Sequence, residues 1–323
     1  MHINDYILEP VKKISFKFSC REKRWFYQTN RHRTLHDSNV QIRESIQSAS
    51  PLMITRLGTS ELHTVLNFLS SELPMQQKLK LYFTGQYPEF WCGQYFKRDI
   101  VYNSGFFPST KEKLNQFAAL YINEFKNIDI ILSWLEGEHW LYNSRNISGQ
   151  VKKIHLYDCE PYFTDNPWTL ALKHLNILVI HPFADSIQNQ YSKRNQLFKN
   201  QVLPEFNLIT LKAHQTLPGN NLPFATWFEA LDELKDRITN IDFDVALIGA
   251  GAYGLPLASF IKNLGKKAIH LGGFLQIIFG IRGNRWEGST KHKALVNEHW
   301  KFPYPEEYPV NYNKLDHGSY WGK

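Results

Sequence analysis

The sequence predicts an α/β chain of Rossmann-like type: a mostly parallel sheet with helices on both faces, an irregular N-terminal extension and a C-terminal tail. Three observations carry that prediction. Apolar runs and amphipathic helical patterns alternate along the chain, as in repeated strand-helix-strand units. The apolar runs are continuous rather than alternating, as in strands covered on both faces of a parallel sheet. One of them, "DVALIGAGAYG", leads directly into a glycine-rich turn and an apolar helix, the way a phosphate-binding strand-helix unit opens.

Residues 1–40 read as an irregular basic-aromatic segment and 41–323 as a single α/β domain, with no internal repeat and no low-complexity tract. "NVQIRESIQSASP" reads as a short helix closed by Ser-Pro. "LMITRLG" is a compact apolar strand, and "SELHTVLNFLSSEL" puts Leu62, Val65, Leu66 and Leu69 at helical spacing. Residues 75–127 read as interrupted helix. In "PSTKEKLNQFAALYINEF", Ser109 or Thr110 caps a helix whose Leu114, Phe117, Leu120 and Tyr121 share a face. "NIDIILSWL", "KKIHLYD" and "HLNILVIHPF" are strands, the second ending at Asp158 and the third at His181. "QYSKRNQLF" is a helix, "FNLITLKA" a strand and "TWFEALDELKDRI" an amphipathic helix. "DVALIGA" and "KKAIHLGG" complete the strands. The Pro- and Tyr-rich tail, "HWKFPYPEEYPVNYNKLDHGSYW", reads as a surface wrap held by its rings.

Of the 323 residues 43% are hydrophobic and 21% charged, an ordinary globular balance, while aromatics reach 15%. The net charge of +7 suits an anionic partner such as a nucleotide or a membrane surface. The cations are dispersed, which argues against nucleic acid. They are densest in "VKKISFKFSCREKRWFYQTNRHR", which reads as a solvated strand and loop or as a segment for an anionic bilayer surface. Cys20, Cys92 and Cys159 form neither a disulfide framework nor a zinc pattern. No signal-peptide core and no apolar run of the roughly 18–20 residues that span a bilayer is present. These readings suggest a cytoplasmic chain, peripheral to the plasma membrane if attached to it.

Several stretches carry chemistry. In GAGAYG, Gly249 permits the tight turn, Gly251 lets backbone approach a phosphate, and Gly254 lets the helix pack on the strand. Tyr253 belongs to the same turn. A dinucleotide site also requires an acidic residue about 20 positions on, where this chain has His270 and then Gly272. The turn therefore reads as a contact for the phosphates or sugar of a nucleotide-sugar, or as a turn that binds nothing. In "ITRLGTSEL", Arg56 suits a diphosphate, and Gly58 and Thr59 form the turn beside it. Glu61 either complements the helix dipole or serves as a metal or sugar ligand. His181, Asp158 with Glu160, and His270 stand at strand ends, and Asp185, Gln190 and Arg194 follow His181 on the next helix. Convergence of polar strand ends on one rim marks His181, Asp185 or Asp158 as the candidate base, without a choice among them. Glu136, Glu138 and His139 read as a solvated turn before they read as acid, base or ligand. Arg282 and Arg285 lie in a glycine-containing loop that suits a phosphate clamp or is plain surface.

"TRLGTSEL" resembles the R-x-G-D-G-E-L segment of the GT-D class of bacterial glycosyltransferases. "HPFADSIQNQY", "IGAGAYGLPLASFIKNLGKKAIHLGG", "FGIRGNRW" and the closing "YW" after Asp316 look like segments of bacterial proteins from capsule and lipopolysaccharide gene neighbourhoods. The resemblance spans roughly residues 50 to 321. It implies a Rossmann-like sheet, a nucleotide-diphosphate sugar donor, and transfer to a glycan or lipid-linked acceptor. It also implies a D-x-E motif that helps hold Mn²⁺ or Mg²⁺. Carried over, that motif puts Thr59 at the aspartate and Glu61 at the glutamate, so the metal ligand set departs from the pattern. The resemblance makes glycosyl transfer the leading expectation, with no NAD. Alternatives are an NAD(P)-dependent oxidoreductase using GAGAYG and a non-catalytic member of a polysaccharide assembly. An oligomer is compatible with all three.

Overall fold

The computed structural model describes residues 34–83, 90, 93–135, 137–217 and 223–322. Within them lie all seven expected strands: β1 (Leu52–Thr55), β2 (Ile130–Ser133), β3 (Lys152–His155), β4 (Asn176–His181), β5 (Asn207–Lys212), β6 (Val245–Ile248) and β7 (Lys267–His270). They form one sheet in the order β3-β2-β1-β7-β6-β4-β5, and every pairing is parallel.

Strand side chains alternate between two buried layers, which is why the strands read as unbroken apolar runs. Leu178, Ile180, Ala246 and Ile248 enter one core. Ile177, Val179, Val245 and Leu247 enter the other. The first layer is covered by α2 (Thr59–Ser70), α3 (Met75–Phe83), α4 (Gln94–Ser104), α5 (Lys111–Glu124), α6 (Glu138–Asn143), α9 (Trp227–Thr239) and α10 (Gly254–Asn263). The second is covered by α1 (Leu35–Gln47), α7 (Ala184–Tyr191), α8 (Arg194–Leu197), α11 (Phe274–Ile278) and the C-terminal segment. Two short helices, α12 (Asn284–Glu287) and α13 (Thr290–Lys293), precede the tail.

Three expectations shift. The helix expected from Asn39 begins at Leu35, inside the segment read as irregular, because Thr34 and Asp37 form a capping box there. The helix expected over 190–198 is two helices, α7 and α8, parted at Ser192 and Lys193. The tail does more than wrap the surface. Fully buried Glu307 accepts N–H bonds from Asp185 and Ser186 at 3.0 and 3.1 Å, which satisfies the first turn of α7. Trp321 is buried and donates from Nε1 to the Glu307 carbonyl at 3.1 Å. The basic N-terminal run, Cys20, Cys92 and Glu136 lie outside the described residues, and Cys159 is a buried free thiol. No helix among the described residues is long and apolar enough to cross a membrane.

The connection after β4 runs to β5 on one side of the sheet, and the connection after β6 runs back to β7 on the other. The helices α7 and α10 lie on opposite faces as a result. A crevice opens between the carboxyl ends of β4 and β6, the place where such sheets bind ligands.

Candidate functional site

A cleft of about 350 Å³ occupies that crevice, within the ~300–1,000 Å³ range of small-molecule sites. One wall is the turn after β1, from Arg56 to Glu61, and another is the Gly249–Gly251 turn after β6. Its floor includes His181 and His270, Asp99 and Asn103 of α4 flank it, and Arg285, Asp316 and Tyr320 close the remaining side.

The glycine turn is built to leave backbone in reach. Gly251 holds φ at +52°, and a Cβ there would meet only the Ser104 carbonyl at 3.6 Å, so backbone conformation rather than space demands glycine. The turn is braced from beneath. Tyr121 donates its hydroxyl to the Ala252 carbonyl at 2.6 Å. Tyr253 stacks on Trp227 with centroids 4.9 Å apart, and its hydroxyl donates to Thr216 at 3.0 Å. Tyr253, which the sequence reading placed in the donor site, lines the cleft and also braces the turn. Gly254 packs inward: a Cβ there would sit 2.2 Å from His270 Nε2. It seats α10 on β7 and does not line the cleft.

Arg56 is the principal cation. Its Nε and Nη2 donate to the Leu57 carbonyl at 3.2 and 3.1 Å, and its guanidinium lies 4.9 Å from the centre of the Trp134 ring. Trp134 Nε1 donates to that same carbonyl at 2.8 Å. A Cβ on Gly272, whose φ is +60°, would stand 2.8 Å from Arg56 Nη1. The guanidinium is thus clamped between an indole and a glycine, and among the described residues no carboxylate pairs with it. Glu138, expected in a solvated turn, instead builds this clamp. It is buried and accepts from Ser133 Oγ and from the Trp134 and Leu135 N–H groups. Burial pushes its pKa up to about 7.

Glu61 is buried beside Arg56, with its carboxyl folded over Gly58 at the start of α2. Burial raises its pKa, opposed by its own backbone N–H and by Arg56. Asp99 is engaged by Ser60 and by Asn103. Both histidines are held neutral: burial drives His181 and His270 down to about 3. His181 Nδ1 accepts the Phe183 N–H at 2.9 Å, so the proton of the neutral ring is on Nε2, beside Gly249. His181 presents a donor to the cleft and is not a base there. His270 Nδ1 contacts Thr55 Oγ1 at 3.1 Å.

Other expected site residues lie elsewhere. Asp185 pairs with Lys212 at 3.5 Å, its side chain largely exposed. Asp158 follows the edge strand β3 in a short 3₁₀ turn outside the cleft. Arg282 is consumed by Glu287, at 2.9 Å from Nε and 2.8 Å from Nη2. Arg285, not Arg282, reaches the cleft. Sequence reading missed Trp134, Asp99, Tyr320 and Gln276. Gln276 is fully buried and lines the cleft. Its Nε2 donates to the Arg282 and Tyr320 carbonyls at 3.2 and 3.3 Å, while Oε1 has no partner.

The metal implied by the resemblance does not fit these residues. Thr59 offers a hydroxyl where a carboxylate is required. Among the described residues no group of three or more His, Cys, Asp or Glu side chains converges as a metal site. No family model matches the chain, and neither a curated protein nor a solved structure matches it.

Proposed function

We propose that this chain is a glycosyltransferase. It takes a sugar from a nucleoside-diphosphate sugar and passes it to a hydroxyl of a glycan or lipid-linked acceptor in surface polysaccharide synthesis, in the cytoplasm at the inner face of the membrane. The observation that carries the reading is Arg56: a clamped guanidinium that pairs with no carboxylate among the described residues and lines the same cleft as the open glycine turn. Arg56 is half-buried, and Glu61 and Glu138 act on it electrostatically without pairing with it, so its outward N–H groups remain able to bind an anion in the cleft. The net charge of +7 favours the same class of ligand and an anionic membrane surface.

In this reading Arg56 and the Gly249–Gly251 backbone hold the diphosphate, and the His181 Nε2–H donates to it. The acceptor oxygen forms a bond to the anomeric carbon as the sugar–phosphate bond breaks. The electron pair leaves with the nucleoside diphosphate, whose charge Arg56 stabilises. Glu61 takes the acceptor proton. Asp158 and Asp185 are outside the cleft, and Asp99 is held by Ser60 and Asn103. A carboxyl raised by burial is also a stronger base than an exposed one. No step passes through a metal.

A dinucleotide cofactor is the less supported alternative, since buried, neutral His270 stands where a ribose-binding carboxylate is required. The test is release of nucleoside diphosphate from UDP-, GDP- and dTDP-sugars in EDTA with a glycan acceptor mixture. Turnover lost in Glu61→Gln with donor binding retained supports the reading. Undiminished turnover in Glu61→Gln removes Glu61 as the base.

A further inference from the structure

The two arginines of the cleft differ in one respect. Among the described residues Arg56 has no carboxylate partner, whereas Arg285 Nη2 donates to Asp316 Oδ2 at 2.5 Å. Arg285 Nη1 also donates to the Tyr320 hydroxyl at 3.2 Å, and its guanidinium lies 5.1 Å from the centre of that ring. All three side chains line the cleft. The backbone that presents Asp316 is strained. Asp316 and His317 hold φ at +45° and +56° in succession, a region that non-glycine residues take rarely and at a cost. Both ends of this strained turn are tethered. On one side Glu307 is bound to α7, and on the other Trp321 is buried and its carbonyl accepts the Asn284 N–H at 3.0 Å. The turn's backbone is held as well, with the Asp316 carbonyl accepting the Ser319 N–H at 3.1 Å and the Ser319 carbonyl accepting the Arg285 N–H at 2.8 Å, so the Asp316 side chain is the part left to move.

We infer that the Asp316 carboxylate stands in for a phosphate, and that Arg285 is the second anion-binding group of the cleft, released from Asp316 when a diphosphate arrives. The inference rests on the reading of this cleft as a nucleoside-diphosphate-sugar site. It narrows the ligand to two linked phosphates, one for Arg56 and one for Arg285. A single phosphate satisfies Arg56 and leaves the Arg285–Asp316 pair closed. Exchange replaces one charge-assisted pair by another through rotation of the Asp316 side chain. The closed pair lowers the apparent affinity by the fraction of molecules in which Arg285 is free.

The test is calorimetric titration of the full chain with inorganic pyrophosphate and with orthophosphate. Asp316→Asn removes the competing carboxylate, and pyrophosphate should bind about tenfold tighter, the effect of one charge-assisted hydrogen bond. Orthophosphate affinity should stay within about twofold. Arg285→Gln removes the second cation, and pyrophosphate should bind about tenfold weaker. Opposite signs for the two variants are the signature, because loss of a merely structural ion pair weakens binding in both. Arg56→Gln separates the two levels of the argument. If pyrophosphate binding depends on Arg56 but Asp316→Asn leaves it unchanged or weaker, the exchange is overturned and the cleft reading stands. If the wild-type chain binds no pyrophosphate, the cleft reading fails and the exchange falls with it.

Discussion

Arg56→Ala isolates the group on which the functional reading turns. Its Nε and Nη2 share the Leu57 carbonyl, and among the described residues no acceptor takes the Nη1 hydrogens. Two charge-assisted bonds to a phosphate, less the reorganisation of a freed cleft, amount to ~2–4 kcal/mol, or roughly 30- to 800-fold in Kd. The fold should bear the change. The Leu57 carbonyl keeps its bond from Trp134 Nε1 at 2.8 Å, so no buried acceptor is orphaned, and stability should move by no more than about 1 kcal/mol. Arg56→Lys keeps the charge but loses the fork and the flat stacking on Trp134, so it should recover only part of the affinity. Arg56→Ala also removes a cation that lowers the Glu61 pKa, so the carboxyl should titrate higher and any rate limb that reports it should move to higher pH. The assay is calorimetric binding of a nucleoside diphosphate sugar, with a thermal melt to confirm folding. A folded Arg56→Ala protein with unchanged Kd refutes the reasoning.

Other expectations follow from the same geometry. Gly251→Ala should destabilise by about 1–2 kcal/mol through its left-handed backbone alone, while Gly251→Asn should cost less; chemical denaturation measures both. Gly254→Ala drives a methyl into the buried His270 ring and should destabilise by about 1–3 kcal/mol or more, with little solvent-side relief. Glu138, raised by burial from 4.5 to about 7, binds its proton more tightly folded than unfolded. Its stabilising contribution is full below pH 4.5 and is lost as pH rises through about 7, so Glu138→Gln should flatten that fall in denaturant titrations. His181 and His270 are shifted the other way, from 6.5 to about 3. The stability they contribute is present above pH 6.5 and is lost as pH falls toward 3, and their imidazole NMR resonances should not titrate between pH 5 and 8.

The sheet was legible because each strand is an uninterrupted apolar run, and that pattern depends only on burial of both faces. The places of Arg56, Gly249 and Gly251 were legible for a related reason: a turn after a strand in a parallel sheet can only lie on the carboxyl rim. The choice of base was not. Asp158 follows the edge strand β3, and strand order cannot be read from strand ends. Asp185 opens α7, yet its side chain turns to Lys212. His181 stands on the rim, but the Phe183 N–H decides which nitrogen carries its proton. Asp316 and Tyr320 enter the cleft through a tail that folds back onto the turn after β7, a long-range contact with no local signal in "NKLDHGSYW".

The central claim is most directly tested by melting the full chain in EDTA against UDP-, GDP-, dTDP- and CMP-sugars, their nucleotides, NAD and NADP. A ligand well above its Kd raises the Tm by mass action. The account predicts that a nucleoside-diphosphate sugar raises the Tm without metal, and that Arg56→Ala abolishes the shift. A shift with NAD or NADP alone, or one that survives Arg56→Ala, contradicts it.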